Sequence, residues 1–399
     1  MESASSPASP KLRSALMFVV LLSLVDLLAD FTYEGARSVM GPFLALLGAS
    51  GTLIGVSAGF GELAGYVLRL VSGTVADRTR RYWLITISGY AVNLLAVPLL
   101  ALAGHLPLAI ALLIAERTGR AIRAPSRDAM LSHATHEMGR GWGFGLHEAA
   151  DQTGAVLGPL VMAAVIAWKS DVRLGFGLLA IPAVLAVSTI VLASRLFPQP
   201  DRLEVRKFEG EAKGLGAAYW IFLIAAGLIA AGYSDFALMA YHLQRTAKMA
   251  AVQIPLLYAL GMGMHGAAAL VFGRLYDRKG LKALIIGVAV SCAFAPLVFW
   301  GDSALIVIGV VLWGVGLGAV ESMMKAAVAD MSSRDRRGTA YGIFYAGYGA
   351  LWFLGSALMG WLYDHSLPGL VAFSMVMQAL AVPLILLAHL LSERKPASA

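Results

Sequence analysis

The sequence predicts an all-α membrane protein: twelve transmembrane helices in two pseudo-symmetric six-helix bundles, with both termini cytoplasmic. Three observations predict it. Long apolar stretches follow one another along the whole chain, lysine and arginine crowd into alternate loops, and one half of the chain echoes the other. Of 399 residues 59% are hydrophobic and only 14% charged, whereas soluble domains are about 25% charged. Lipid leaves no water to satisfy backbone groups, so only helices or closed barrels span it, and these stretches are too long and uniform for barrel strands.

Glycine, proline and charge clusters punctuate the chain in order. The first half gives spans at 14–47, 52–76, 82–103, 107–135, 141–168 and 172–194, and the second at 217–244, 252–276, 281–300, 303–331, 338–363 and 367–391. The basic-then-apolar start resembles a secretory signal, but Asp26 and Asp30 interrupt it, so it is expected to be retained as the first helix. Residues 1–13 and 392–399 read as cytoplasmic tails, 14–194 and 217–391 as the bundles, and 195–216 as a mixed-charge linker broken by Pro198 and Pro200.

Topology follows from the basic residues. With the N-terminus cytoplasmic, inner segments hold twenty of the 31 lysines and arginines, outer loops hold four (Lys169, Arg173, Arg245, Lys248), and the spans hold seven. That is the positive-inside pattern, so the basic excess marks topology and no nucleic-acid partner is expected. A single cysteine, Cys292, excludes a disulfide framework or a cysteine metal site. No phosphate-binding loop, nucleophile elbow or zinc motif is present, so neither an enzyme nor an ATP-driven pump is expected, and no cofactor.

The halves share motifs. GTVADRTRRYW from Gly73 recurs as GRLYDRKGLKA from Gly273, so that Gly73, Asp77 and Arg78 map onto Gly273, Asp277 and Arg278. Arg140–Gly158 is echoed by Arg337–Gly355, preserving Gly145 as Gly342 and Gly158 as Gly355. Half-chain repeats are expected of a duplicated six-helix transporter. The repeated G-x-x-x-D-R-x-G pattern resembles the signature loop of the major facilitator superfamily, over essentially the whole chain. The first copy has Arg80 in place of the last glycine, followed by Arg81; the second keeps Gly280 and then Lys282. Physically, a glycine lets helices approach, and an Asp–Arg pair at a helix end can latch one side shut. In span five Gly145, Gly154 and Gly158-Pro159 resemble the glycine-proline motif of the bacterial drug/metabolite efflux branch, though Met162 and Ala163 replace its trailing glycines. The resemblance implies a proton antiporter in the bacterial inner membrane, acting as a monomer on a small organic solute.

Ionisable residues inside spans are costly, which makes them functional candidates. Asp26, Asp30 and Glu34 lie four apart on one helical face with Arg37 nearby, and their mutual repulsion favours a proton on one of them. Asp30 and Glu34 are the expected proton or substrate contacts, with a fixed Glu34–Arg37 pair as the alternative. In span four Arg117 and Arg120 could draw an anion, whereas Arg123 and Arg127 are expected to pair with Asp77 or Asp128. In span five His147, Glu148 and Asp151 suit a proton relay, a metal, or plain neutralisation of the span-four arginines; ligands on one helix make a metal the least favoured. Asp235, His265, Glu321 and Lys325 are the polar entries of the second half, the last two expected to neutralise each other. Tyr341, Tyr345, Tyr348 and Trp352 share one face, as a cavity wall or as packing.

Together these residues predict a secondary transporter of a small organic solute, expected to be a proton-coupled exporter. Uptake of an organic anion is the alternative if Arg117 and Arg120 face the cavity, and a non-transporting sensor or scaffold is a third reading.

Overall fold

The structure is a computed structural model and describes residues 10–138, 140–198, 215–332 and 337–393. Most of the expected linker and the ends of both tails lie outside the described residues, as does the side chain of Asp77. The described residues form helices and no strands. In chain order the helices of the first half are α1 (Pro10–Arg37), α2 (Met40–Leu46), α3 (Gly51–Thr79), α4 (Tyr82–Leu99), α5 (Leu106–Met138), α6 (Arg140–Lys169), α7 (Val172–Leu178) and α8 (Ala180–Leu196). Those of the second half are α9 (Ala217–Gly232), α10 (Phe236–Arg245), α11 (Gln253–Lys279), α12 (Lys282–Ser291), α13 (Phe294–Trp300), α14 (Ser303–Met331), α15 (Arg337–His365) and α16 (Leu367–Glu393).

Four expected spans turn out to be broken, and proline explains three of them. Pro42, Pro182 and Pro296 each stand third in the second piece of a broken span. There the missing N–H costs nothing, but the ring clashes with the carbonyl four residues back, which is where the first piece ends. So 14–47 divides at Ser38–Val39, 172–194 at Leu179, and 281–300 at Cys292–Ala293. Span 217–244 divides at Tyr233–Asp235, where the Asp235 carboxylate accepts a hydrogen bond from the Ala237 N–H at 2.8 Å and so starts a new helix.

Eleven helices among the described residues are long and apolar enough to cross a membrane. α5 is about 50 Å long at 1.5 Å per residue but carries six charges between Glu116 and Asp128, which keeps it out of that set. Large apolar side chains such as Leu84, Ile181 and Leu270 are bare on the outside of the bundle, a surface that suits acyl chains and not water. The protein is a multi-pass membrane protein.

Glycines set the closest helix contacts. A Cβ at Gly154 or Gly158 of α6 would overlap the backbone oxygens of Leu27 and Phe31 in α1. In the second half Gly355 of α15 meets Ala231 of α9 in the same way. The span-five glycines, with Pro159 inside the helix, are therefore packing devices; Gly145 lies among residues whose side-chain environment is outside the description. Between the halves, α3 packs on α15, α6 on α11 and α2 on α10.

Candidate functional site

Between the halves lies a cavity of about 520 Å³. Its deep end is made by the broken helices: Glu34 and Arg37 of α1, and Asp235 at the start of α10. From there it runs toward the end of the bundle that holds the turns after α3 and α11, passing Asp30, Arg120, Asp151, Glu148 and Lys325. Glu321 and Asp128, on its wall nearer that end, are about half exposed, whereas Asp30 and Glu34 are buried. The other end is shut. A Cβ at Gly41 would overlap Ala237 of α10, one at Gly55 would overlap Ser356 of α15, and Asp364 bonds to the start of α3.

At the deep end Glu34 is the meeting point. One carboxylate oxygen accepts a short hydrogen bond from the Tyr258 hydroxyl of the second half; the other lies 3.5 Å from Arg37 and 3.9 Å from Arg120. Arg37 makes its tighter pair with Glu62 of α3, at 2.7 Å, and reaches Asp235 of the second half at 3.6 Å. The alternative of a Glu34–Arg37 pair is thus present, but as one link of a larger network. Arg117 also bonds Glu62, at 2.6 Å, with Glu116 at 3.3 Å, and its side chain is 9% exposed. Arg117 does not line the main cavity; it borders a pocket of only about 30 Å³, enough for a water. Arg120 is different. It is 24% exposed, faces the cavity, lies flat over the Tyr33 ring at 4.2 Å and donates to the Tyr33 hydroxyl at 2.9 Å. Tyr33 in turn donates to Asp30.

Asp26 corrects the expected pairing of span four. Fully buried, it accepts from Arg123 at 2.6 Å, Arg127 at 2.8 Å and the Tyr90 hydroxyl at 2.6 Å. Arg127 does keep Asp128, at 2.7 Å, but Asp26 is the carboxylate that both arginines share. Four-residue spacing drifts by about 40° per step around a helix of 3.6 residues per turn, which is how Asp26 faces α5 while Glu34 faces the other half. The span-five carboxylates form no ion pair within 4.0 Å with the span-four arginines among the described residues, though the Asp151 charge acts on Arg127: Glu148 accepts from Gln152, and His147 sits between Asp26 at 3.4 Å and Asp151 at 3.8 Å. Asp26, His147 and Asp151 bring one ligand atom each within 4.8 Å. Two guanidiniums already on Asp26 oppose a cation there.

The wall from the second half is aromatic. Tyr345 and Trp352 line the cavity; Tyr348 is buried behind it. The Tyr66 and Tyr345 rings stack across the halves at 5.4 Å and 4°. Glu321 turns to His265 at 3.3 Å; its charge still acts on Lys325, as the four-residue spacing allows, but without an ion pair within 4.0 Å. Of the site residues expected from sequence, the cavity gathers Asp30, Glu34, Arg37, Arg120, Glu148, Asp151, Asp235, Tyr345 and Trp352, and leaves Arg117, His147 and Tyr348 behind its walls.

Among the described residues the repeated loops show no latch, the Asp77 side chain lying outside them. Arg78, Arg81, Asp277, Arg278 and Lys282 are exposed and form no ion pair with another described residue. Gly73 has only ordinary contact with Pro125 of α5, and Gly273 faces open space, so the close approach expected at these glycines is not made at this open end. Glu62 and Arg69 in span 52–76 were not among the expected site residues. The rule that singles out buried charges in spans applies to both.

An all-helical bundle of this length, with a charged central cavity between two halves, defines the class of membrane transporters. The family model described as "Major Facilitator Superfamily" matches residues 22–300 and 222–399. The chain belongs to that superfamily. It is 40% identical over 376 residues to an uncharacterised protein of Mycobacterium tuberculosis, covering 92% of each, and 27% identical over 363 residues to an uncharacterised MFS-type transporter of Methanocaldococcus jannaschii, covering 87% of this chain and 89% of that one. Among solved structures it superposes on a peptide transporter, POT, in complex with sulfate (TM-score 0.76, 13% identity, 97% and 99% coverage). It also matches a bacterial homologue of the human lysosomal transporter Spinster in an inward-facing and occupied conformation (0.73, 16%, 98% and 100%). At such identities these structures speak for the fold.

Proposed function

We propose that the chain is a proton-coupled secondary transporter that exchanges protons for a small organic solute by alternating access, with α5 as the twelfth span and both termini in the cytoplasm of a bacterial cell. The bundles 14–194 and 217–391 rock about the cavity, joined by the linker 195–216. The supporting observation is Glu34. It touches Arg37 and Arg120 of its own half and Tyr258 of the other, at the head of the cavity. A proton on Glu34 weakens its hold on both arginines and on Tyr258, so protonation acts directly on a contact between the halves. Asp30, held by Tyr33 beneath Arg120, is the second carboxylate within reach of a solute. A solute and a proton that need the same carboxylates exclude each other, which makes antiport the natural coupling.

Export is the direction implied by the span-five motif. One observation favours the second reading, uptake of an organic anion: Arg120 faces the cavity, and its ion pair among the described residues, with Glu34, is a loose one at 3.9 Å. In proteoliposomes loaded with a solute found by thermal-shift screening, Asp30→Asn and Glu34→Gln abolish pH-driven flux while leaving the protein folded. Full coupling in both variants refutes the assignment. The sign of the gradient that drives accumulation separates export from uptake.

A further inference from the structure

Two cations in the cavity lack a contact ion pair, the charges of Glu62 and Glu321 reaching them only from beyond 4.0 Å. Arg69 of α3 and Lys325 of α14 both line it, and neither forms an ion pair within 4.0 Å among the described residues. The other arginines lining the cavity do: Arg37 and Arg120 reach Glu34, while Arg123 and Arg127 hold Asp26. Arg69 and Lys325 come from opposite halves, and both charges act on Tyr345 within a ladder of rings. The Arg69 guanidinium lies 5.5 Å over Tyr66, Tyr66 stacks on Tyr345, Tyr345 stacks on Tyr341 at 6.1 Å, and the Tyr341 hydroxyl donates to the Lys325 carbonyl at 2.6 Å. Among the described residues the Nε of Arg69 and the Nε1 of Trp352, which also lines the cavity, are buried donors without an acceptor. Buried donors are nearly always paired, so orphans on a cavity wall call for an acceptor that comes from outside the chain.

We propose that the cavity binds an aromatic anion, a carboxylate or phosphate monoester, whose charged group sits between Arg69 and Lys325 and whose ring packs against the Tyr66–Tyr345 stack and Trp352. The charge argument is local: on this ladder the groups without a partner are donors or cations, whereas the cavity's unmatched acceptors, Asp151 Oδ1 and Gln152 Oε1, belong to α6, so an anion gains at the ladder where an ammonium does not. An anion touching Arg69 and Lys325 at once also ties the two halves together on the side where the cavity is open, an interaction a neutral solute cannot make. The inference rests on the transporter reading for its relevance but not for its test.

The test is binding to detergent-purified protein at fixed pH, without a gradient, using 1-naphthoate and 1-naphthyl phosphate against 1-naphthamide and 1-naphthylmethylammonium. At least one anion binds about tenfold or more tightly than the amide and the ammonium, and which anion wins identifies the head group. Arg69→Gln and Lys325→Gln each cost about tenfold in that affinity, as expected for losing a charged hydrogen-bond partner, while Trp352→Phe weakens both anions and leaves the amide unchanged. Thermal unfolding without ligand checks that each variant is folded, and any one folded charge variant suffices. Equal binding of the four probes, preference for the ammonium, no binding of either anion, or unchanged affinity in the folded charge variants overturns the proposal. Anion binding without pH-driven flux keeps this site and overturns the coupling instead.

Discussion

The carboxylate of Asp364, at the end of α15, caps the start of α3 from the opposite half: it accepts from the Thr52 N–H at 2.7 Å, the Thr52 hydroxyl at 2.6 Å and the Gly51 N–H at 3.0 Å. A negative charge on a helix N-terminus is favourable, and this one also ties the halves at the closed end. Because the site is exposed, solvent discounts the tie to about 1 kcal/mol. Asp364→Ala should therefore raise the population open at this end by about fivefold. The measure is the rate at which an impermeant maleimide modifies Ala237→Cys, buried against Gly41, in a Cys292→Ser background. An unchanged rate means that the glycine contacts alone hold the end shut.

Asp26 is the counter-charge of two arginines in a fully buried setting, Arg123 itself being only 2% exposed. Removing one partner of a buried pair costs about 3–5 kcal/mol, because the other charge is stranded. Asp26→Asn should thus lower thermal stability strongly in detergent, far more than Glu34→Gln, whose neighbours have other carboxylates. Pairing it with Arg123→Gln should recover part of the loss. If Asp26→Asn is as stable as the parent, the cluster is not the structural knot its geometry describes.

The repeated loops differ at one backbone position. Gly280 ends α11 with φ of 56°, and its counterpart Arg80 ends α3 with φ of 55°. Arg80, with ψ of 17°, sits in the αL region, where a side chain costs roughly 1–2 kcal/mol, whereas Gly280, with ψ of −143°, sits outside αL in a region kept almost to glycine. Arg80→Gly should stabilise the protein by about 0.5–1 kcal/mol after the entropy that glycine loses on folding, and Gly280→Ala should destabilise it by more, about 1–3 kcal/mol. Unfolding midpoints of the two variants measure this directly, and a stability loss in Arg80→Gly would mean that the guanidinium has a partner worth more than the strain.

Architecture was legible because hydropathy and the repeat act on stretches of twenty residues, where single exceptions average out. The breaks at Ser38, Leu179 and Cys292 were legible in principle from Pro42, Pro182 and Pro296, since each proline dictates where the hydrogen-bond ladder must stop. Partner choice was not. Asp26, Asp30 and Glu34 look equivalent in sequence, and only the drift of the helix decides that the first serves α5 and the last reaches Tyr258. Glu321 and Lys325 had the spacing of a pair, but His265, far away in the sequence, offered the carboxylate a closer partner. Local spacing sets which contacts are allowed; tertiary packing chooses among them.

Gly273 has open space where a side chain would be, so nothing in this conformation requires a glycine there. At the closed end the situation is reversed: Gly41 and Gly55 meet backbone of the other half with no room for a Cβ. A shut end in this bundle is made by glycine against backbone, and an open end is one where the glycine is bare. If the two ends close in turn, Gly273 should become a contact when the loop end shuts. Gly273→Leu should then leave thermal stability within about 0.5 kcal/mol, as for a surface change, yet cut transport at least tenfold by blocking closure, while Gly273→Ala has a smaller effect. Stability and flux falling together would point to packing within this state, and full flux with leucine would remove Gly273 from the closing surface.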